Sequence, residues 1–582
     1  MSIEALRAFA SRDDLAQFHP NGLLLYALEL RFDLEDVAAI AATSITDGKG
    51  DRKCDLVYID AETSVAVLGQ GYLAADASKP EAPSNKAADL GIAASWVLGN
   101  ERPADLSSGL RTAATELHEA IERGEVDSIE LWYSHNLSES RNVDDELERA
   151  ARTANAILAQ QYPDRTVDVR YLQVGKDTLN DWYASKKNPI LVSDEINVPT
   201  RDWFTEEGDE WSAVCTSVPA TWLHGLYEEH LDRLFSANVR GYMPRRRSAQ
   251  NINFGIEQTA RDEPGRFWAF NNGVTALVNS FDSDKRTGKL KLYGIAVVNG
   301  AQTTGSLGRV DKERLGDAKV MIRFVQSSNQ RLVEDIIRYN NSQNQIKPSD
   351  FRSGDRIQTR LREEFKSIPD SLYLGARRGG SDDRARKPSN LVPSDTAAQA
   401  IAAFHQDPTT AYHDLASIWN RDHVYAKFFS DHTSAEHIVF CYSLWRAVAA
   451  RKAELSALDT EEQTSDDRDA LDYLRRRGSL YLLVAAIANS AETYIGRAIP
   501  NAFALSFGRK VSPATATDYW MPLVDALLPF ASSQLGPAFD DGGVRRRETV
   551  RSHVATFRSI VASTKRANSM VFSEFAEKVA PF

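Results

Sequence analysis

Cysteine is scarce in this chain: three in 582 residues, Cys54, Cys215 and Cys441, odd in number and far apart. That excludes a disulfide scaffold and a Cys-based zinc ribbon, fits a reducing compartment, and leads us to expect chemistry that does not rest on cysteine. Long apolar runs are also missing, since no segment approaches the roughly 18 residues that a membrane span requires. The opening Met1-Ser2-Ile3-Glu4-Ala5-Leu6-Arg7 has no basic region followed by an apolar stretch, so a cytosolic protein without a membrane partner is expected. There is no excess of positive charge: the formal net charge of -12 repels a nucleic acid at long range, and any such binding must come from local basic patches. A Walker lysine in a Gly-x-x-x-x-Gly-Lys setting is absent. The histidines, His224, His230 and His437 among them, are too scattered to suggest a triad or a metal centre. Low-complexity tracts and fixed-period repeats are missing too, which leaves a folded multidomain protein of about three or four units.

What is abundant is uncharged hydrogen-bonding residues at the ends of apolar runs between 238 and 350. They gather in Asn238-Val239-Arg240-Gly241-Tyr242, Asn271-Asn272-Gly273-Val274-Thr275, Val298-Asn299-Gly300-Ala301-Gln302-Thr303-Thr304 and Asn340-Asn341-Ser342-Gln343-Asn344-Gln345-Ile346-Lys347-Pro348. Amides and hydroxyls donate and accept without carrying charge, so several together make either a pocket for a polar ligand or a mesh that fixes loops. Asn-Gly at 272–273 also suits a tight turn between paired strands. At 298–307 an apolar strand meets Asn299-Gly300, and Thr303, Thr304 and Ser306 open an expected helix whose N-terminus suits phosphate. Arg240, Arg338 and Lys347 are the cations expected to face such a group. Three basic patches permit nucleic acid without requiring it: Arg245 to Arg247, Arg377 to Lys387, and Arg545 to Arg547.

The fold class read from these patterns is multidomain α/β and α+β. Residues 1–190 alternate helix with strand: strands at 55–60, 64–70, 128–133 and 167–172, helices at 23–30, 86–99, 106–123 and 143–161. Residues 191–370 read as α+β, with a helix at 222–235, strands around 267–281, at 290–298 and at 320–325, and a helix through Leu332 and Ile337. Residues 371–582 are mainly helical, including Glu436 to Arg451 and Asp467 to Ala491.

In the front part, Asp55 opens one strand and Gln70-Gly71-Tyr72 ends the next. This resembles the restriction-endonuclease superfamily, in which an acidic strand start and a Glu, Asp or Gln two residues before a Lys converge on a metal ion and a phosphate. The resemblance implies Asp55 and Gln70 as catalytic residues, Glu29 as a further acidic group, and Mg2+ or Mn2+ held by Asp55 and Glu29. Tyr72 stands where the lysine belongs. That leaves three readings: a retired nuclease fold that binds or supports, an active one in which Lys53 or Lys79 replaces the missing cation, or an unrelated α/β domain.

Five ordered motifs over about 110 residues, the four clusters above together with Asn253-Phe254-Gly255-Ile256-Glu257-Gln258-Thr259 and the preceding Phe267-Trp268-Ala269-Phe270, resemble the abortive infection phage resistance (AIPR) family. The turn and helix at 299–304 resemble, more distantly, ParB/sulfiredoxin-like proteins, with Thr303 or Thr304 replacing their usual Arg. The resemblance implies bacterial antiviral defence. The expected ligand set is Arg240, Asn271, Asn272, Asn299, Gly300, Gln302, Thr303, Thr304, Arg338, Asn341, Gln343 and Lys347, and the ligand is DNA, RNA or a nucleotide. Partner defence proteins and a second copy of the chain are the expected protein partners. Three functions stay open: metal-dependent cleavage of nucleic acid, non-catalytic sensing or scaffolding, and nucleotide hydrolysis at the 299–304 turn.

Overall fold

The computed structural model describes residues 4–48, 50–100, 106–238, 247–341, 352, 354–375, 390–458, 461–540 and 542–581. They form two compact units, each assembled from three stretches of chain: 1–34, 59–99 and 117–345 in one, 35–58, 100–116 and 346–582 in the other. Among the described residues no helix is long and apolar enough to cross a membrane.

The first unit carries two sheets. In the smaller, the strands β1 (Leu56–Asp60, of which only Ile59 and Asp60 belong to this unit), β2 (Val65–Tyr72), β3 (Ser128–His135) and β4 (Asp168–Val174) lie in that order, and β2, β3 and β4 are parallel. Parallel strands are buried on both faces and read as continuous apolar runs. Accordingly every residue of β3 is buried. The helix Gly22–Phe32 is buried almost throughout, and Leu24 comes so close to Gly69 of β2 that a Cβ there would meet its Cδ2 at 3.0 Å.

The larger sheet has the order β5 (Val192–Val198), β10 (Lys289–Asn299), β8 (Val274–Leu277), β11 (Lys319–Ser327), β7 (Trp211–Pro219), β6 (Trp203–Gly208), with β9 (Ser280–Asp284) paired to β10. Only the β8–β11 pair is parallel among the described pairings of this sheet. One face packs Val274, Ala276, Val297, Val320, Ile322 and Phe324 against Leu223, Leu226 and Leu307 of flanking helices. The opposite face is covered at one end, where Val333, Ile336 and Ile337 of the helix Gln330–Asn341 lie on Leu277, Ala296, Val298 and Val325. Among the described residues its other end is open, with Met321 and Arg323 exposed.

Several expectations are corrected here. Residues 267–270 are a short helix, not strand, and strand begins only at Val274. Gly273 (φ +81°) therefore turns the chain from helix into strand and is not a hairpin turn. The helix at 220–230 ends at His230 and gives way to a 3-10 segment to Asn238. Strands β5 to β7 were not anticipated. The segment Asp467 to Ala491 is broken at Gly478, whose φ of +84° ends one helix and starts the next.

The second unit is helical around one core. Trp419, Trp445 and Trp520 are fully buried in it, with the helix Ala435–Ala457 as a main contributor. The helix Val37–Ser44 belongs to the same core through Ala39.

Candidate functional site

Two turns come together at the open end of the larger sheet. Gly300, with φ +89°, caps the helix Ala301–Arg309, and a Cβ there would lie 2.8 Å from the Gly273 carbonyl oxygen. A Cβ on Gly273 would lie 2.6 Å from the Met321 carbonyl oxygen. Only glycine permits both the left-handed backbone and this approach. The Asn271 Nδ2 donates to Thr303 Oγ1 at 3.0 Å, and the Gly273 N–H donates to Asn271 Oδ1 at 2.9 Å. Thr304 is buried and its hydroxyl donates to the Gly300 carbonyl at 3.0 Å. Asn271, Gly273, Gly300, Thr303 and Thr304 are thus brought together. Their side chains largely satisfy one another, which makes them a scaffold for the turn, while Asn272 is exposed and Asn299 and Gln302 are half-buried.

Beside this scaffold lies a cation that sequence reasoning missed. Arg323 of β11 is exposed, and one guanidinium nitrogen donates to Thr275 Oγ1 and to Asn340 Oδ1, each at 3.2 Å. Asn340 is held in turn by donating to the Ile336 carbonyl at 2.8 Å. The strand register places Arg323 opposite Thr275 on β8 and Cys215 on β7, and Cys215 opposite Phe204 on β6. Burial pushes the Cys215 thiol up, and Arg323 pulls the other way. Trp268 donates from Nε1 to Ser217 Oγ at 2.9 Å, yet it is 49% exposed. Met321, Phe204 and Phe270 are 47%, 57% and 64% exposed. The open end of the sheet is therefore a surface of large rings and a fixed guanidinium. Alternation of exposed and buried residues along 319–324 was the available signal. Arg338 and Asn341 lie on the helix Gln330–Asn341; Arg240, Gln343 and Lys347 fall outside the described residues, as do the patch Arg377 to Lys387 and Arg245 and Arg246.

Gln70 is buried on β2, in register with Tyr133 of β3, which is itself in register with Gln173 of β4. Its Oε1 has no hydrogen-bond partner among the described residues. Tyr72, in the lysine position, lies opposite His135. Burial holds His135 down to about 4, so it is neutral at pH 7. Glu29 is buried in an ion pair with Arg12 at 3.0 Å. In the other unit, Asp55 precedes β1, and its carboxylate joins Asp47 and Asp51, with ligand atoms all within 4.8 Å of one another. Burial raises Asp51 above the usual carboxylate range, against hydrogen bonds from the Lys53 and Gly48 N–H groups. Lys53 and Lys79 are exposed.

The scattered-histidine expectation fails at one place. His405, His437 and Cys441 form a group whose donor atoms all lie within 4.8 Å of one another. His437 and Cys441 are four residues apart on one helix, a spacing visible in the sequence; His405 follows the helix Ser394–Phe404 and could not be joined to them without the fold.

Residues 235–494, a little under half of the chain, match the family model described as AIPR protein. The matched stretch contains all five motifs and runs into the helical region, while residues 1–234 lie outside it. No curated protein and no solved structure matches.

Proposed function

We propose that this chain is a phage-defence protein of the abortive-infection type whose central sheet binds single-stranded nucleic acid or a nucleotide. The defence role rests on the family match over 235–494. The binding role rests on one observation: Arg323, oriented by Thr275 and Asn340, stands among the exposed Trp268, Phe270, Met321 and Phe204. Rings accept bases by stacking at about 1–3 kcal/mol per base, and a pre-oriented guanidinium takes a phosphate through two bonds. Open sheet faces bearing aromatics suit unpaired bases, which present their faces as a duplex does not. The Gly273 and Gly300 turns set the edge of this surface, and the 301–309 helix N-terminus beside them favours negative charge.

The test is fluorescence anisotropy of the full chain with labelled single-stranded DNA and RNA, and calorimetry with nucleotides. Arg323→Ala and Trp268→Ala are each expected to weaken binding about tenfold, with parallel loss of phage protection. Unchanged affinity in the double variant would remove this reading.

A second reading, metal-dependent cleavage, is favoured by the grouping of Asp47, Asp51 and Asp55. Oxygen donors of this kind suit Mg2+ or Mn2+. Against it stand Tyr72 in the lysine position and the pairing of Glu29 with Arg12, both of which suit a non-catalytic sensor. Incubating the same oligonucleotides with either metal separates the two. Cleavage that disappears in Asp55→Ala, or separately in Gln70→Ala, supports the nuclease; binding without cleavage supports the sensor.

A further inference from the structure

The buried His405, His437 and Cys441 present an excess of donors for one lone pair. The His437 Nδ1 lies 2.9 Å from the Leu505 carbonyl oxygen, which can only accept, so Nδ1 carries the ring proton and Nε2 offers its lone pair. Two groups converge on that single lone pair: His405 Nε2 at 2.9 Å and Cys441 Sγ at 3.4 Å. One in-plane lone pair accepts one good hydrogen bond, so a purely hydrogen-bonded cluster leaves a donor badly placed in a buried site. A metal ion removes the conflict, because all three atoms then point lone pairs inward.

From this geometry we infer that His405, His437 and Cys441 form a site for a thiophilic divalent ion, with zinc as the best fit. Zinc bonds of about 2.0–2.1 Å to nitrogen and 2.3 Å to sulfur at tetrahedral angles put donor atoms about 3.3–3.6 Å apart. The two separations from His437 Nε2, 2.9 Å to His405 Nε2 and 3.4 Å to Cys441 Sγ, come within a few tenths of an ångström of that. The Nδ1–H bond from His437 to a backbone carbonyl is the outer-shell contact that aims a metal-binding imidazole and fixes its tautomer. A set of two imidazoles and a thiolate selects zinc over magnesium or manganese, so this site is distinct in kind from any carboxylate site in the chain.

Binding is balanced by protons. Cys441 loses its thiol proton to solvent, His405 moves its ring proton from Nε2 to Nδ1, and His437 keeps the proton on Nδ1. Among the described residues no fourth His, Cys, Asp or Glu joins the group, so a water completes the tetrahedron. His405 is the member that is not fully buried, and it marks the route of entry. Phe503 stacks on its ring at 3.9 Å, and Phe404 meets both imidazoles edge-on. Such a hydrophobic shell limits solvent access and steadies the ligands. The site would fasten the end of the helix Ser394–Phe404 to the helix Ala435–Ala457.

The experiment is metal analysis of the full chain after zinc loading and dialysis, followed by cobalt substitution. About one zinc per chain is expected in the parent, falling below about one tenth in His405→Gln and Cys441→Ala. Cobalt should give a thiolate-to-metal charge-transfer band that survives Cys54→Ala and disappears in Cys441→Ala. A folded parent that retains no zinc, a metal content unchanged in both variants, or a cobalt spectrum without the thiolate band would each overturn the inference. The parent measurement decides even if a variant fails to fold.

Discussion

At the scale of single residues, Lys452 is the most exposed to pH. It is buried in the helical unit, its ammonium bonded to the Ala42 carbonyl, and burial together with Arg475 and Arg477 lowers it from 10.5 to about 7. Between pH 7 and 10.5 the unfolded chain holds a proton that the folded chain has released, so this residue makes stability rise with pH through that window and leaves it flat below. Lys452→Met is therefore expected to stabilise the protein by roughly 2–4 kcal/mol at pH 6, with the gain fading as pH rises and gone above about 10.5. Urea denaturation at several pH values measures this, and a constant difference would refute it. Residues of this kind are not legible in sequence, because their energetics depend on surroundings. Asn271, Gly300 and Thr303 were legible one by one, since an Asn before a turn, a glycine and a hydroxyl at a helix start each carry a local signal, although the bond that joins Asn271 to Thr303 spans 32 residues. Arg323 was not, because its partners Thr275 and Asn340 come from other elements.

At the scale of elements, the turn that enters the helix Ala301–Arg309 is tightly constrained. A side chain on Gly300 would meet the Gly273 carbonyl and Val274 within 3.0 Å, in a left-handed backbone. Gly300→Ala should cost about 2–4 kcal/mol, more than Gly-to-Ala at an open left-handed position, because strain and collision add. Thermal unfolding of that variant beside Gly288→Ala, which has nothing within 4 Å of its Cβ position, separates the two contributions. The strand-turn-helix at 290–309 was readable because an apolar run, Asn-Gly and hydroxyls occur in sequence. Strand β6 was not: of its residues only Trp203 is buried, so it shows no alternation, and it exists because β7 supplies its partners. The helix at 267–270 looked like strand because its aromatics favour strands when context is ignored.

At the scale of the whole molecule, one side chain of the helical unit reaches all three of its stretches of chain. The Arg477 guanidinium donates to the carbonyls of Thr43 at 3.0 Å and Val57 at 2.7 Å, and it pairs with Glu116 at 3.2 Å. It thereby joins all three stretches of chain that make up that unit. Arg477→Ala should destabilise it by about 3–5 kcal/mol, because three acceptors lose one buried donor. Conversely, a fragment starting at residue 346 keeps Arg477 and loses its acceptors, and hydrogen exchange should find it far less protected than the same residues in the full chain. The composition reading foresaw several domains and a helical end, but a unit woven from separated segments leaves no compositional boundary to read.

This weaving also sets a clock on biosynthesis. Val57 leaves the ribosome 420 residues before Arg477, an interval of about 20–80 seconds at ordinary elongation rates. Throughout it the early segments must wait beside a growing chain without their partners, so the helical unit can be completed only late in translation. Incomplete chains cannot assemble it, so a chain that stops short of Arg477 lacks the contact that joins the three stretches of this unit.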